Sequence, residues 1–285
     1  MSTQPDPLSK PQPPDRVVYA LGQLLDEEDF GAEQLYHRGR LARALAYLHG
    51  TGTVAGLEVT VAAEGPEAEE TLRVSAGLAL DRLGRLIEVP RAACLRLHRW
   101  FEAQLADPVG RDRLSASFRT GSGGHPDGVV VDVFVKFEAC ERGKQPVFGA
   151  GGFDALDAVA PSRVRDAYRL ELVVREEADP PVPDPGFPDL AGLSPEEARA
   201  RVLDYKLRQA WKESTAWRGP GETLELLAEH VHGQDGTEVL LARLLLPALR
   251  PPLRRDPNGT VEVDNGVRAL VFSTAELLWL TAAMR

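Results

Sequence analysis

The chain has 285 residues, of which 43% are hydrophobic and 27% are charged, and its formal net charge is −10. This length is enough to bury a large core in one large domain or two smaller ones. The acidic balance argues against nucleic-acid binding, because a negative surface repels the phosphate backbone. Two cysteines, Cys94 and Cys140, are too few for a disulfide framework and favour a reducing cytoplasm, with one long-range disulfide as the alternative.

The N-terminal segment, residues 1–20, is predicted to be an extended, proline-rich arm. Five prolines among its first fourteen residues fix φ and remove backbone donors. The arm lacks the apolar stretch of a secretory signal peptide. No window of the chain reaches the roughly 18 apolar residues that span a bilayer. We therefore expect a soluble protein with no membrane span.

A helix is predicted from Asp26 to Gly50, in "DEEDFGAEQLYHRGRLARALAYLHG". Acidic residues fill its first turn, and a glycine follows its last apolar residue, as is typical of helix ends. At 100° per residue one stripe is largely apolar, and this stripe is predicted to face the core. Its members are Phe30, Gln34, His37, Leu41, Leu45 and Leu48.

The segment "LHGTGTVAGLEV" contains Gly50, Gly52 and Gly56. A phosphate-binding glycine loop leaves a strand and opens a helix, whereas these glycines leave a helix and enter a strand. We interpret them as geometric: Gly50 ends the helix, Gly52 frees the turn, and Gly56 forms a β-bulge in a strand whose alternation continues to Val61. Gly50 or Gly56 is expected to have positive φ or to lie at a bulge, with no anion bound.

Further elements are predicted along the middle of the chain. Short strands flank a turn at Asp81–Gly84, residues 91–106 are helical, and residues 110–128 form a loop rich in glycine and serine. Strong strands are predicted at 129–139 and 162–176. The main α+β domain is therefore placed at 21–177, with a proline-rich linker at 178–193.

The last part of the chain, residues 194–285, is predicted to begin with a helical insertion near 194–232. Its first helix is capped by "SPEE" at Ser194 and ends near Ser214. Strands at 237–246, 260–264 and 267–273 are separated by Asn-Gly turns, which favour tight hairpins, and a short helix closes the chain. These strands complete the main domain in an α+β fold with a predominantly antiparallel β core.

The sequence carries no recognisable catalytic or metal-binding motif. G-x-S-x-G, H-E-x-x-H, P-loop and C-x-x-C patterns are all absent. His230 and His232 form H-x-H beside Glu229 without a further ligand nearby, so a solvated helix end is the preferred interpretation. A hydrolase would require His37, His49 and Asp81 to converge in one pocket. We expect neither a cofactor nor a metal.

Two blocks of the sequence resemble an uncharacterised family associated with contractile injection systems and phage-tail-like particles. They are "YALGQLLDEEDFGAEQLYHRGRLARALAYLHGTGTVAGLEV" and "VSAGLALDRLGRLIEVP". The first block matches at Gly22, Leu25, Asp29, Phe30, Glu33, Gln34, Tyr36, His37, Leu48, His49, Gly50, Gly52, Val54, Gly56 and Leu57. The second matches at Gly77, Ala79, Asp81, Gly84 and Ile87.

This resemblance implies a structural or accessory component of such a particle, at its baseplate or fibre attachment, and not an enzyme. The implied partners are other subunits of the particle or further copies of the chain. One alternative is a carbohydrate- or cell-surface-binding module carried by the particle, for which aromatics on a sheet face would be needed. Trp100, Trp211, Trp217 and Trp279 all fall in predicted helices or loops, which counts against it. The second alternative is a hydrolase that uses His37, His49 and Asp81.

Overall fold

The computed structural model describes residues 3–10, 15–62, 69–121, 123–146, 159–184, 186–210, 224–256 and 258–283. The described helices are α1 (Glu27–His49), α2 (Leu97–Ala106), α3 (Pro108–Ser117), α4 (Pro195–Asp204) and α5 (Thr274–Ala283). The described strands are β1 (Thr3–Gln4), β2 (Gly52–Gly56), β3 (Val59–Ala62), β4 (Thr71–Val74), β5 (Gly77–Leu80), β6 (Leu86–Val89), β7 (Ala93–Arg96), β8 (Phe118–Arg119), β9 (Gly128–Pro146), β10 (Val159–Val174), β11 (Val239–Leu249), β12 (Arg254–Arg255) and β13 (Glu262–Asp264).

The strands form three antiparallel sheets, so the prediction of an α+β fold with an antiparallel β core is confirmed. The largest sheet is built around β9, which pairs with β10, β11, β8 and β1, while β12 and β13 pair with β11. Two three-stranded sheets have the orders β2-β5-β6 and β3-β4-β7.

The two faces of β9 differ because side chains alternate along a strand. Its odd-numbered residues from Val129 to Phe137 enter the hydrophobic core, where they meet residues of β11 and of the two smaller sheets. Its even-numbered residues include Asp132, Lys136 and Glu138, which form ion pairs on the opposite face. β9 and β10 together form one long hairpin with an apolar face and a charged face.

The N-terminal arm makes contacts within its own chain. Thr3 and Gln4 pair with Cys140 and Ala139 of β9, so part of the predicted extended arm is a strand. Asp6 is buried beside Arg38 of α1.

Helix α1 has the predicted ends, but the predicted orientation of its apolar stripe is wrong. Asp26 forms a capping box with Asp29 at the first turn, and Gly50 caps the last turn. Ala42 is the buried residue of α1, whereas Gln34 and His37 are exposed. The helix packs through Ala42 on the Asp81–Gly84 turn because glycine at position 84 allows the backbones to approach closely. Exposed apolar stripe members are Phe30, Leu41 and Leu48.

The predicted strand after the glycine loop is two strands in different sheets. β2 ends at Gly56, and β3 begins at Val59 after Leu57, which has a φ of 57°. The irregularity of β2 lies between Thr53 and Ala55, so the bulge is not at Gly56 as predicted.

Two segments between β6 and β9 differ from the prediction. Residues 93–96 form β7 rather than the start of a helix, and residues 108–117 form α3 rather than a loop. The start of α3 has a cap in the sequence, since Asp107 accepts from the N–H of Gly110 and Pro108 occupies the first turn. The glycine and serine content of residues 110–128 outweighed this signal in the prediction.

The C-terminal part is less helical and has fewer hairpins than predicted. After α4 a π-helical turn spans Tyr205–Gln209, but residues 224–238 contain no helix. The Asn265-Gly266 turn is not followed by a paired strand. The side chain of Asn265 instead accepts from the N–H of Val59 and donates to its carbonyl oxygen. The glycine-rich sequence GAGG at 149–152 lies outside the described residues.

Candidate interaction surface and the buried ion pairs beside it

Gly50 and Gly56, at the two ends of the segment from α1 through β2, have the positive φ that the sequence predicted. Gly50 has a φ of 76° and Gly56 a φ of 64°. A Cβ at Gly52 would lie 2.6 Å from the carbonyl oxygen of Ala269, because residues 269–271 run beside β2. The C-terminal, partially negative end of α1 faces this loop, so its electrostatics oppose phosphate binding. This geometry supports the interpretation of the glycines as residues that shape the backbone.

Asp81 organises the turn Asp81–Gly84, which lies in the second of the two sequence blocks that resemble the family and is called the motif turn below. One of its carboxylate oxygens accepts from the backbone N–H groups of Leu83 and Arg85, each at 2.9 Å, and the other lies 2.6 Å from Nε of Arg85. Asp81 is fully buried. Burial raises the pKa of Asp81, while Arg85 lowers it. With its oxygens committed to the turn, Asp81 is a structural residue and is not positioned as a catalytic acid.

The guanidinium of Arg85 joins this turn to distant parts of the chain. It donates to the hydroxyl of Thr237 at 3.0 Å and lies 3.6 Å from the carboxylate of Asp6, which also pairs with Arg38 at 3.2 Å. Its other face covers the ring of Phe137, at 4.7 Å from the ring centroid. The motif turn therefore ties the N-terminal segment and α1 to the β9 sheet.

A second buried ion-pair cluster surrounds Asp132 of β9. Arg175, itself fully buried, lies 3.1 Å from the carboxylate of Asp132, and Arg243 of β11 binds the same carboxylate at 2.8 Å. Arg243 also donates to the carbonyl oxygens of Pro180 and Pro181. Burial raises the pKa of Asp132, and the two guanidiniums lower it. Part of the predicted linker is thus fixed to the sheet.

His230, which the sequence analysis placed at a solvated helix end, is buried and outside any helix. Its Nδ1 accepts from the N–H of Leu227, so its Nε2 carries the proton and donates to the carbonyl oxygen of Glu238 at 3.0 Å. Burial lowers the pKa of His230. Both ring nitrogens are occupied, and the histidine acts as a structural link rather than a ligand.

The carboxyl of Glu238 is buried on the charged face of the hairpin. Gln234 donates to it at 2.6 Å, and Nζ of Lys136 lies 3.8 Å away, between Glu238 and Glu171. Burial raises the pKa of Glu238 to about 7, and the negative charge of Glu171 acts in the same direction. The charge of Glu238 is therefore sensitive to pH near neutrality.

The predicted hydrolase residues do not converge. His37 and His49 are twelve residues apart on α1, which separates them by about 18 Å along the axis. Both are exposed, and the nearest acidic partner of His37 is Glu33 of the same helix. Asp81 is fully buried and bound to Arg85. These three residues cannot form one acid–base pair or triad, because such partners need hydrogen-bond reach.

A cavity of about 380 Å³ lies beside β11 and β13. On its wall Nδ1 of His125 is 2.6 Å from the carboxylate of Glu262. The two guanidiniums in its lining are already bound, Arg119 to the carbonyls of Glu176 and Glu177 and Arg243 to Asp132. Its described lining contains no serine or cysteine. Its other polar side chains are those of Thr120 and Asp264.

Exposed apolar side chains occur on many of the described elements, α1 and α5 among them. In α5, Leu277, Leu278 and Trp279 are 48%, 66% and 72% exposed. In and before α1, the exposed members are Val18, Tyr19, Leu21, Leu24, Phe30, Leu41 and Leu48. We call these the α5 face and the α1 face. Exposed apolar side chains of this size can be buried in protein–protein contacts. Neither face was predicted from the sequence, because an amphipathic pattern does not show whether an apolar stripe meets the core or solvent.

Aromatic side chains do not form an exposed platform on the described strands. Trp279 and Phe30 are exposed on helices, and Trp100 of α2 packs against the core. Trp211 and Trp217 lie outside the described residues. The requirement for a carbohydrate-binding sheet face is therefore not met in this part of the chain.

The described residues contain no group of three or more His, Cys, Asp or Glu side chains placed to hold a metal ion. None of the described helices combines the length and the apolar character needed to cross a membrane. Cys94 and Cys140 are both free thiols. No protein-family model matches the chain, and no curated protein matches it in sequence.

Proposed function

We propose that this chain is a structural or accessory component of a contractile injection system or phage-tail-like particle, and that it acts by protein–protein assembly. It works in the cytoplasm or within the assembled particle. The particle type comes from the sequence resemblance, while assembly as the mode of action is supported by the structure's exposed surfaces.

The observation that carries the proposal is the exposure of apolar side chains on the α5 face. Leu278 and Trp279 are adjacent and mostly exposed, on a helix whose apolar residues are not covered by the described part of the chain. Leaving such side chains in water forgoes about 1.5–3 kcal/mol for each one that a partner could bury. A second subunit that covers this face recovers that free energy.

The motif residues support this proposal because their role is structural: they allow close backbone contacts and do not take part in a reaction. Gly84 lets α1 contact the motif turn, and Gly52 lets residues 269–271, which precede α5, run beside β2. The motif therefore fixes the C-terminal half of α1, through Ala42, and the segment that leads into α5. Its role in assembly is to hold the two apolar faces in place.

The first experiment asks whether the protein is present in native particles. Particles are purified from the source cells through a density gradient and analysed by mass spectrometry, with wild type and the double variant L278D/W279D compared. We expect wild type to co-purify with sheath and tube subunits, and the variant to be lost from the particles while remaining folded. V109D is the control, because Val109 is 57% exposed on α3 and belongs to neither face.

Absence of the wild-type chain from every purified particle would refute the proposed function. Retention of L278D/W279D at the wild-type level would remove the α5 face from the assembly but leave the function standing. The carbohydrate-binding alternative predicts a different outcome, namely binding of the isolated chain to cell-wall glycan without any other particle subunit.

A further inference from the structure

The outer half of the β9–β10 hairpin presents a row of cations on one face. Because directly opposed residues of an antiparallel pair share a face, the register places Arg142 beside Arg163 and Arg165 beside Cys140. Lys144 is opposite Pro161, two residues along β10 from Arg163. Arg142, Lys144, Arg163 and Arg165 therefore lie together, and we call this surface the basic face.

The basic face is not neutralised by the described part of the chain. No carboxylate there lies within 4.0 Å of any of its four cations, whereas Lys136 and Arg169 on the inner half both have carboxylate partners. Lys144, Arg163 and Arg165 are exposed. Two arginines directly opposed on one sheet face repel each other. A bound anionic surface would remove that repulsion.

The rest of the chain is acidic. The formal net charge is −10 with these four cations included, so the surface outside the basic face carries an even larger excess of carboxylates. Nucleic acid is the less suitable partner for such a chain, because the remaining surface repels a phosphate backbone. A carboxylate-rich protein surface avoids this cost by contacting the basic face alone.

The start of α1 supplies such a surface in the same chain. Glu27 and Glu28 are exposed, and no cation of the described residues pairs with them. Asp26 and Asp29 add negative charge, although their oxygens are used in the capping box. Exposed Leu24 adjoins these acids, and exposed Val159 flanks the basic face, so an apolar contact accompanies the charges.

We propose that the basic face binds the acidic start of α1, Asp26–Asp29, in a second copy of this chain. This contact joins two different surfaces, so it is heterologous and generates rings or open chains rather than a closed two-fold dimer. The inference rests on the proposed function, because it names one contact through which the chain assembles. It uses a surface separate from the α5 face.

Sedimentation velocity on the purified full chain tests this contact. Wild type is expected to self-associate at low salt and to dissociate at about 1 M salt, where the Debye length is roughly 3 Å. R163E/R165E and E27K/E28K should each weaken self-association by roughly tenfold or more. The four-residue charge swap R163E/R165E/E27K/E28K should restore it. R199E/R201E, which makes the same charge change on α4, should behave as wild type.

Mixing two neutralised double variants gives the sharpest result. R163Q/R165Q keeps an intact α1 start, and E27Q/E28Q keeps an intact basic face. Their altered surfaces are uncharged and do not attract each other, so one of each should form a 1:1 complex that cannot grow further. Circular dichroism and thermal melting establish that every variant is folded.

Any one of three results would overturn the inference. They are wild type that stays monomeric at low salt, a mixture of variants that fails to associate, and R163E/R165E that associates like wild type. Binding of duplex DNA through these arginines, without self-association, would also overturn it. The proposed function is judged separately: co-purification of the charge variants with native particles, together with loss of L278D/W279D, would leave the function standing while the inference fails.

Discussion

The inner and outer halves of the β9–β10 hairpin share one strand pattern but differ in how their charges are satisfied. On the inner half, Asp132 is buried between Arg175 and Arg243, and Lys136 lies between Glu171 and Glu238. On the outer half, Arg142 is opposite Arg163. Charges that other elements cover must be paired to be tolerated, whereas charges that project into solvent need not be. Unmatched charge at the outer half is therefore available for a partner.

The largest effect is expected from breaking the inner half at Asp132. D132A leaves the buried guanidinium of Arg175 with fewer negative partners, and removing one member of a buried ion pair costs about 3–5 kcal/mol of the free energy of unfolding. Denaturation in urea measures this loss. D166A, which removes an exposed aspartate from the outer half, is the control and should change stability by less than about 0.5 kcal/mol. Similar values for the two variants would contradict the contrast between the halves.

An intermediate effect is expected from Glu238, whose pKa is raised to about 7 by burial. The folded state then holds this proton more tightly than the unfolded state does. The stabilisation is complete below the ordinary carboxyl pKa near 4.5 and is lost as pH rises through 7. E238Q cannot titrate, so between pH 5 and 8 wild type should lose about 2–3 kcal/mol of the free energy of unfolding relative to the variant.

The groups that face Glu238 are Glu171, Lys136, Gln234 and Asp235, and His230 binds its backbone carbonyl. Urea denaturation at several pH values measures the difference between wild type and E238Q. E27Q controls for the loss of one negative charge, since Glu27 is exposed on α1. Parallel pH profiles for wild type and E238Q would show that Glu238 titrates normally.

The smallest changes in the free energy of unfolding are expected from replacing exposed arginines of β10. The changes for R163A and R169A should have opposite signs. R163A removes one of two opposed like charges and should stabilise the isolated chain by about 0.2–1 kcal/mol at low salt. R169A loses the partners Glu138 and Glu171 and should destabilise it by a similar or smaller amount. Thermal melting at low and high salt measures both, and added salt should diminish them. Equal signs at low salt would mean that the two halves do not differ electrostatically.

Several elements were predictable because their signals are local. The helix from Asp26 to Gly50 has an acidic first turn and a terminal glycine, and it forms with those ends. The β9 and β10 strands follow from dense β-branched residues with period two. The positive φ of Gly50 and Gly56 follows from the order helix, turn, strand. Each of these signals depends on neighbours within a few residues.

Other features were missed because they depend on residues distant in sequence. The amphipathic pattern of α1 does not say whether its apolar stripe meets the core or a partner, and the contact between Ala42 and Gly84 turns that stripe outward. Two local signals disagreed at α3. The cap at Asp107 indicates a helix start, whereas the glycine and serine content of residues 110–128 indicates a loop, and the prediction followed the second signal. The Asn265-Gly266 turn was read as a hairpin, although Asn265 binds β3.

The sequence by itself determined the α+β class, the positive φ of Gly50 and Gly56 and the alternation that gives the hairpin two faces. These depend on backbone preferences and on the period of side chains along a strand. Only the tertiary structure decided which charges are buried and paired, because ion pairs such as Asp132–Arg243 join residues far apart in the chain. It likewise decided that α1 and α5 leave apolar faces exposed, since exposure depends on what the rest of the chain covers.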